Sequence, residues 1–133
     1  MSDLVFFYGT LMTPFSRTAR AHIDQYLEFR GRGTIAGALF DLGIYPAAIP
    51  ASDAHVHGEV YRMHDPARVL SALDDLEGYR ADDPETSLYT RALVPVTLDD
   101  ATVRDAWVYF YNAPLGRAER ISSGDYLEYL KLR

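Results

Sequence analysis

Leu4-Val5-Phe6-Phe7-Tyr8-Gly9-Thr10-Leu11-Met12 is a short apolar run that stops at a glycine. Four β-branched or bulky residues in a row, too few for a helix of their own and broken by Gly9, predict a strand covered on both faces. Gly9 removes the Cβ where the chain must turn. A turn of this kind can leave the amides of Gly9, Thr10 and Leu11 pointing outward, able to hold a carboxylate or a developing oxyanion. The same spacing also suits a plain strand-to-helix turn in which glycine serves geometry alone.

Beyond the loop, Phe15, Ala19, Ile23 and Tyr26 or Leu27 recur every three or four positions, which predicts a short amphipathic helix with Thr13 as N-cap and Pro14 at its first position. From Leu27 to Leu42 the pattern is extended and punctuated by Gly31, Gly33 and Gly37, as in a long strand bent by bulges or by close approach of another segment. Gly43 to Ala47 turns into a short apolar stretch ending at Pro50, and Ala51-Ser52-Asp53 forms a tip. Val56, Gly58 and Val60 then alternate with His57, Glu59 and Tyr61, predicting a strand with one polar face. Asp65-Pro66 is a helix start, and Val69, Leu70, Leu73 and Leu76 make its apolar stripe, which Tyr79 continues just past the terminating Gly78. Arg80 to Glu85 is a polar surface loop. Leu88 to Leu98 and Val103 to Asn112 are strands joined by the turn Asp99 to Thr102, with Pro95 marking an edge or bulge. Tyr126, Leu127, Tyr129 and Leu130 form a short closing helix. About six strands around two short helices predict an α+β or mixed α/β fold, a small curved sheet or barrel.

The 133 residues, 48% hydrophobic and 24% charged, suit one domain spanning 1–133 with its own core. The absence of cysteine excludes disulfides, thiol catalysis and thiolate metal sites. A net charge of −6 with scattered basic residues gives no footprint for nucleic acid. No apolar run approaches the ~20 residues of a membrane span, and Met1-Ser2-Asp3 opens no signal sequence, so a cytoplasmic protein without membrane partners is expected. Oligomeric state is not encoded in any motif here.

Among ionisable residues, Glu77 stands out. It closes an apolar helix beside Leu73 and Leu76, where a carboxylate that loses water has a raised pKa and can shuttle protons. A glutamate following Asp74 and Asp75 is also an ordinary solvated residue at a helix end, poorly placed for the helix dipole. His55 and His57 share a strand face but lack a third ligand, so no metal is expected. No serine sits in a nucleophile elbow, and Gly31, Gly33 and Gly37 do not have phosphate-loop spacing. Ser122-Ser123-Gly124-Asp125 reads as a helix-capping turn.

Taken together, Tyr8-Gly9-Thr10-Leu11 after a first strand, Gly58-Glu59-Val60-Tyr61, Leu73-Asp74-x-x-Glu77-Gly78-Tyr79, Tyr89-Thr90-Arg91 and Ile121 to Tyr126 resemble, in order and spacing, the gamma-glutamylcyclotransferase-like family. The loop is similar to the branch containing AIG2-like proteins and γ-glutamylamine cyclotransferases. The resemblance implies an α+β fold, a small mixed β-barrel with flanking short helices. It implies a cavity in which Tyr8, Gly9, Thr10 and Leu11 grip a small-molecule γ-glutamyl substrate, Glu77 acts as catalytic base then acid, and Tyr89 or Tyr111 donates hydrogen bonds. The reaction implied needs no cofactor: the α-amine attacks the γ-carbonyl, closes 5-oxoproline and expels the attached amine or amino acid. A non-catalytic binding module for a small metabolite, with the same cavity, is the competing expectation, and hydrolysis by a glutamate-activated water is a third.

Overall fold

The computed structural model describes residues 2–12 and 20–131. Five strands close a barrel in the order β1 (Leu4–Phe7), β5 (His55–Met63), β2 (Leu27–Ala36), β6 (Tyr89–Leu98) and β7 (Val103–Tyr111). The barrel is mixed because β1 runs antiparallel to β5 and parallel to β7, pairing Val5 with Trp107. Every residue of β1 is buried, as its unbroken apolar run predicts for a strand with neighbours on both sides. A second sheet has the order β4 (Pro46–Ile49), β3 (Ala38–Asp41) and β8 (Glu119–Ile121).

The expected long strand from Leu27 is divided between the two sheets. β2 bulges between Phe29 and Gly31 and ends before Gly37, whose amide leaves the ladder to donate to Ala54 C=O at 3.0 Å. The chain then continues as β3 in the other sheet. A Cβ at Gly37 would stand 3.1 Å from Ile49 C=O, so the crossing is tight as well as bent. The ladder between β2 and β6 pairs only Gly33 with Leu98 and Thr34 with Thr97. Pro95 therefore falls where β6 has β7 as its register partner and no recorded pairing with β2, consistent with its missing N–H.

Helix α1 (Pro66–Glu77) is capped by the Asp65 carboxylate, which accepts from Arg68 N–H, and ends at Gly78 with φ 67°. It buries Val69, Leu70 and Leu73 against the barrel, whereas Leu76 is mostly exposed. Helix α2 (Tyr126–Lys131) closes the described chain. The helix expected after the first loop falls partly on Thr13 to Ala19, outside the described residues. Beyond it, Asp24–Tyr26 is a single 3₁₀ turn and Leu27 already belongs to β2.

The polar face of β5 is partly buried: Glu59 and Tyr61 are 6% and 3% exposed. Arg20 donates from Nη1 to Tyr61 Oη at 3.0 Å, Tyr61 donates to Glu59 Oε1 at 2.9 Å, and Arg32 of β2 stands 4.0 Å from Glu59 Oε2. The Arg20 guanidinium also lies 4.5 Å from the centre of the Tyr61 ring. Alternation along one strand cannot reveal a cation delivered from another segment.

Candidate active site

Four stretches of chain converge on a cavity of about 230 Å³: the turn after β1, Tyr45-Pro46 at the start of β4, the end of α1, and Leu88-Tyr89 at the start of β6. The turn is closed by Met12 N–H donating to Gly9 C=O at 3.0 Å. The amides of Gly9, Thr10 and Leu11 make no hydrogen bond to another described residue, and all three residues line the cavity. A Cβ at Gly9 would come within 2.7 Å of Pro46 Cγ, so glycine is what lets the turn close down on β4. Behind the turn, Arg20 Nη1 donates to Leu11 C=O at 3.0 Å, tying the loop to the buried Tyr61 and Glu59.

Tyr8 and Tyr89 line the cavity but their hydroxyl protons are engaged. Tyr8 donates to Tyr109 C=O at 2.7 Å and accepts from Ala48 N–H, bridging β7 to β4. Tyr89 donates to Pro46 C=O at 3.3 Å. Burial raises both phenol pKa values, with the neighbouring Glu77 carboxylate adding to the effect, so both stay neutral at physiological pH. Tyr111 does not line this cavity. Paired with Tyr89 across the β6–β7 ladder, it packs edge-on against the Tyr89 ring at 5.2 Å and lines the neighbouring groove with Thr90 and Asn112.

Glu77 does line the cavity. It makes no hydrogen bond or ion pair with another described residue, and loss of water raises its pKa from 4.5 to about 7. Arg91 pairs with Asp74 instead: it binds both carboxylate oxygens, at 2.9 and 3.2 Å, and lies 4.6 Å from the Trp107 ring centre. Tyr109 Oη donates to the same Asp74 carboxylate at 2.5 Å. Asp74, three residues before Glu77, thus pins α1 to β6 and β7 and fixes where Glu77 points. Its role was not legible in a run of acidic residues, because its partners come from strands far along the chain. Asp74→Ala is expected to cost about 2–4 kcal/mol by leaving a guanidinium and a hydroxyl without their acceptor, read as a lower midpoint in urea unfolding.

His55 and His57 lie on β5, and among the described residues no group of three or more His, Asp or Glu side chains is placed to hold a metal ion. No described helix is long and apolar enough to cross a membrane.

Residues 5–128 match the family described as gamma-glutamyl cyclotransferase, AIG2-like. The chain belongs to this family. Among its relatives, the gamma-glutamylcyclotransferase family protein YtfP of Escherichia coli K12 is 30% identical over 125 residues, covering 93% of this chain and 96% of YtfP. The solution structure of E. coli ytfP superposes with a TM-score of 0.68 at 30% identity, over 95% of this chain and 97% of that one. A crystal structure of a mouse AIG2-like protein gives 0.64 at 26% identity, over 84% and 80% of the two chains. YkqA of Bacillus subtilis shares the fold with a TM-score of 0.73 at 24% identity, and this chain spans 42% of its length. The barrel with short flanking helices is the architecture of the gamma-glutamylcyclotransferase-like proteins.

Proposed function

We propose that the protein is a cyclotransferase that releases 5-oxoproline from a γ-glutamyl amide, with Glu77 as general base and then general acid. The observation that carries this reading is the half-buried Glu77 carboxylate, its pKa raised to about 7 by loss of water, in one cavity with the amides of Gly9 to Leu11; among the described residues neither the carboxylate nor these amides has a hydrogen-bond or ion-pair partner. A carboxyl group poised near neutrality both accepts and returns a proton at low cost.

The chemistry follows from those two features. Glu77 takes a proton from the α-ammonium, and the freed lone pair attacks the γ-carbonyl carbon within the same molecule. Charge collecting on the γ-oxygen is met by the amides of the turn. Collapse breaks the bond from the γ-carbon to the departing nitrogen, to which Glu77 returns its proton. The ring nitrogen's second proton follows, so the amine leaves as an ammonium ion and 5-oxoproline remains. Because nucleophile and electrophile already share one molecule, the protein's contribution is orientation, one proton relay and oxyanion stabilisation.

Incubation with a panel of γ-glutamyl amides, followed by mass analysis, tests this. 5-Oxoproline is the expected product. Glutamate instead would indicate hydrolysis by an activated water, and binding without turnover would indicate a metabolite-binding module. The pH dependence has a definite sign. Since the ionised carboxylate is the active base, kcat/KM is expected to rise with pH through about 7, the pKa of Glu77 in the free protein. A flat profile between pH 5.5 and 8.5 would remove Glu77 from the proton relay.

A further inference from the structure

Arg20 is a buried charge that the proton relay does not use. It is 8% exposed, and its guanidinium is held along both edges. Nε and Nη2 donate to Asp24 Oδ1 at 3.1 and 2.6 Å, and Nη1 donates to Tyr61 Oη and to Leu11 C=O, both at 3.0 Å. The group also lies 4.5 Å from the centre of the Tyr61 ring. A planar fork gripped in this way is fixed before anything binds.

One of these bonds reaches the candidate site. A trans peptide is flat, with its C=O and N–H pointing to opposite sides. Met12 N–H donates inward to Gly9 C=O at 3.0 Å, so Leu11 C=O, in the same plane, points away from the turn and meets Arg20. That plane is held at both ends. The bond to Gly9 C=O fixes a second plane and turns Thr10 N–H outward, and the peptide carrying Leu11 N–H stands between the two. Gly9, Thr10 and Leu11 all line the cavity. Without Arg20 the last plane loses one of its two ties, and the turn can rock. Donors stabilise developing charge only as far as they are aimed in advance, and a displacement of about 1 Å can cost on the order of a hundredfold in rate.

We propose that Arg20 is a positioning residue for 5-oxoproline formation, holding Leu11 C=O from behind so that the amides of the turn stay aimed at the γ-oxygen. This rests on the cyclotransferase reading and adds to it the residue that makes the oxyanion site rigid. Replacing Arg20 strands no buried charge: Asp24 is largely exposed, and Glu59 keeps the Tyr61 hydroxyl and Arg32 at 4.0 Å.

Arg20→Met keeps the stem and removes the donors. It is expected to lower kcat on the wild type's best γ-glutamyl amide by on the order of tenfold to a hundredfold with KM little changed, because the oxyanion exists only in the transition state. Arg20→Lys keeps the charge and serves if Arg20→Met does not fold. The same loss is expected, since one ammonium cannot stand in both places and the Asp24 carboxylate holds it more tightly than a carbonyl does. Gly116→Ala, at an open turn with φ 59°, is expected to lower stability and leave kcat unchanged. Wild-type kcat in a folded Arg20 variant, a loss confined to KM, or an equal loss of kcat in Gly116→Ala overturns the proposal. If the wild type releases 5-oxoproline from no γ-glutamyl amide, the cyclisation reading falls by itself. Amide hydrogen exchange followed by NMR then decides whether Arg20 holds the turn. In the Arg20 variant Met12 N–H is expected to exchange about tenfold faster or more, while Val60 N–H in the middle of β5 keeps its rate. Unchanged protection of Met12 overturns the proposal.

Discussion

Glu77→Gln is expected to lower 5-oxoproline release by 10²–10⁴-fold or more and, at the same time, to make the protein more stable at pH 8. Both effects have one origin. Glutamine keeps the shape of the side chain but neither accepts nor returns a proton, so the relay stops. It also carries no charge, and in the wild-type protein that charge sits in a cavity that raises the carboxyl pKa from 4.5 to about 7 by withholding water. At 1.36 kcal/mol per unit, this disfavours the ionised folded form by about 3 kcal/mol, less whatever water reaches the half-buried group. The sign follows from linkage. A folded-state pKa above the unfolded one gives a contribution fully present below the unfolded value and lost as pH rises through about 7. Thermal melts at pH 5 and pH 8 should therefore show the gap between variant and wild type widening at the higher pH. Wild-type rates in the variant, or a gap independent of pH, would mean that Glu77 is an ordinary solvated residue.

The parts of the fold that were legible in the sequence are those specified by near neighbours in the chain. The apolar run of β1, the Asp65-Pro66 start of α1 and its stop at Gly78 each follow from a few adjacent residues, and each is found where expected. β8 was not anticipated because Glu119-Arg120-Ile121 has neither length nor alternation. It becomes a strand only when β3 offers it an edge. The burial of Glu59 and Tyr61 could not be read from β5 alone, because the cations they meet, Arg20 on Tyr61 and Arg32 at 4.0 Å from Glu59, come from other segments. The loop and Glu77, both singled out in the sequence, line one cavity. The packing of the tyrosines was not legible there: the Tyr8 and Tyr89 hydroxyls brace backbone carbonyls, and Tyr111 supports Tyr89 from outside the cavity. Leu76 shows the opposite kind of mismatch. Its place on the apolar stripe predicts burial, yet it is 53% exposed and lines the cavity.

Gly124→Ala is expected to be the most damaging of single-methyl additions to the fold, costing about 3–5 kcal/mol. Two independent penalties meet there. Gly124 has φ 68°, a left-handed conformation that costs an L-residue about 1–2 kcal/mol. Its missing Cβ would also overlap the backbone carbonyl oxygen of His55, a group that cannot swing aside as a side-chain tip can. The approach is close because this turn is stitched to β5: His57 N–H donates to Gly124 C=O at 2.8 Å, and Gly124 N–H donates to Ile121 C=O at 3.0 Å. What reads in sequence as the cap of α2 is thus also the joint between the C-terminal segment and the barrel. Relieving the overlap would pull that segment off β5 and break the first bond. Gly116 provides the control, since it has φ 59° and nothing within 4 Å of its Cβ position. Gly116→Ala should show the conformational penalty alone, about 1–2 kcal/mol. For a chain of this size the expected loss in Tm is about 10–20 °C for Gly124→Ala and a few degrees for Gly116→Ala, read from melts followed by circular dichroism. Equal losses in the two variants would show that the turn stands clear of His55 and that β5 is not where the C-terminal segment is anchored.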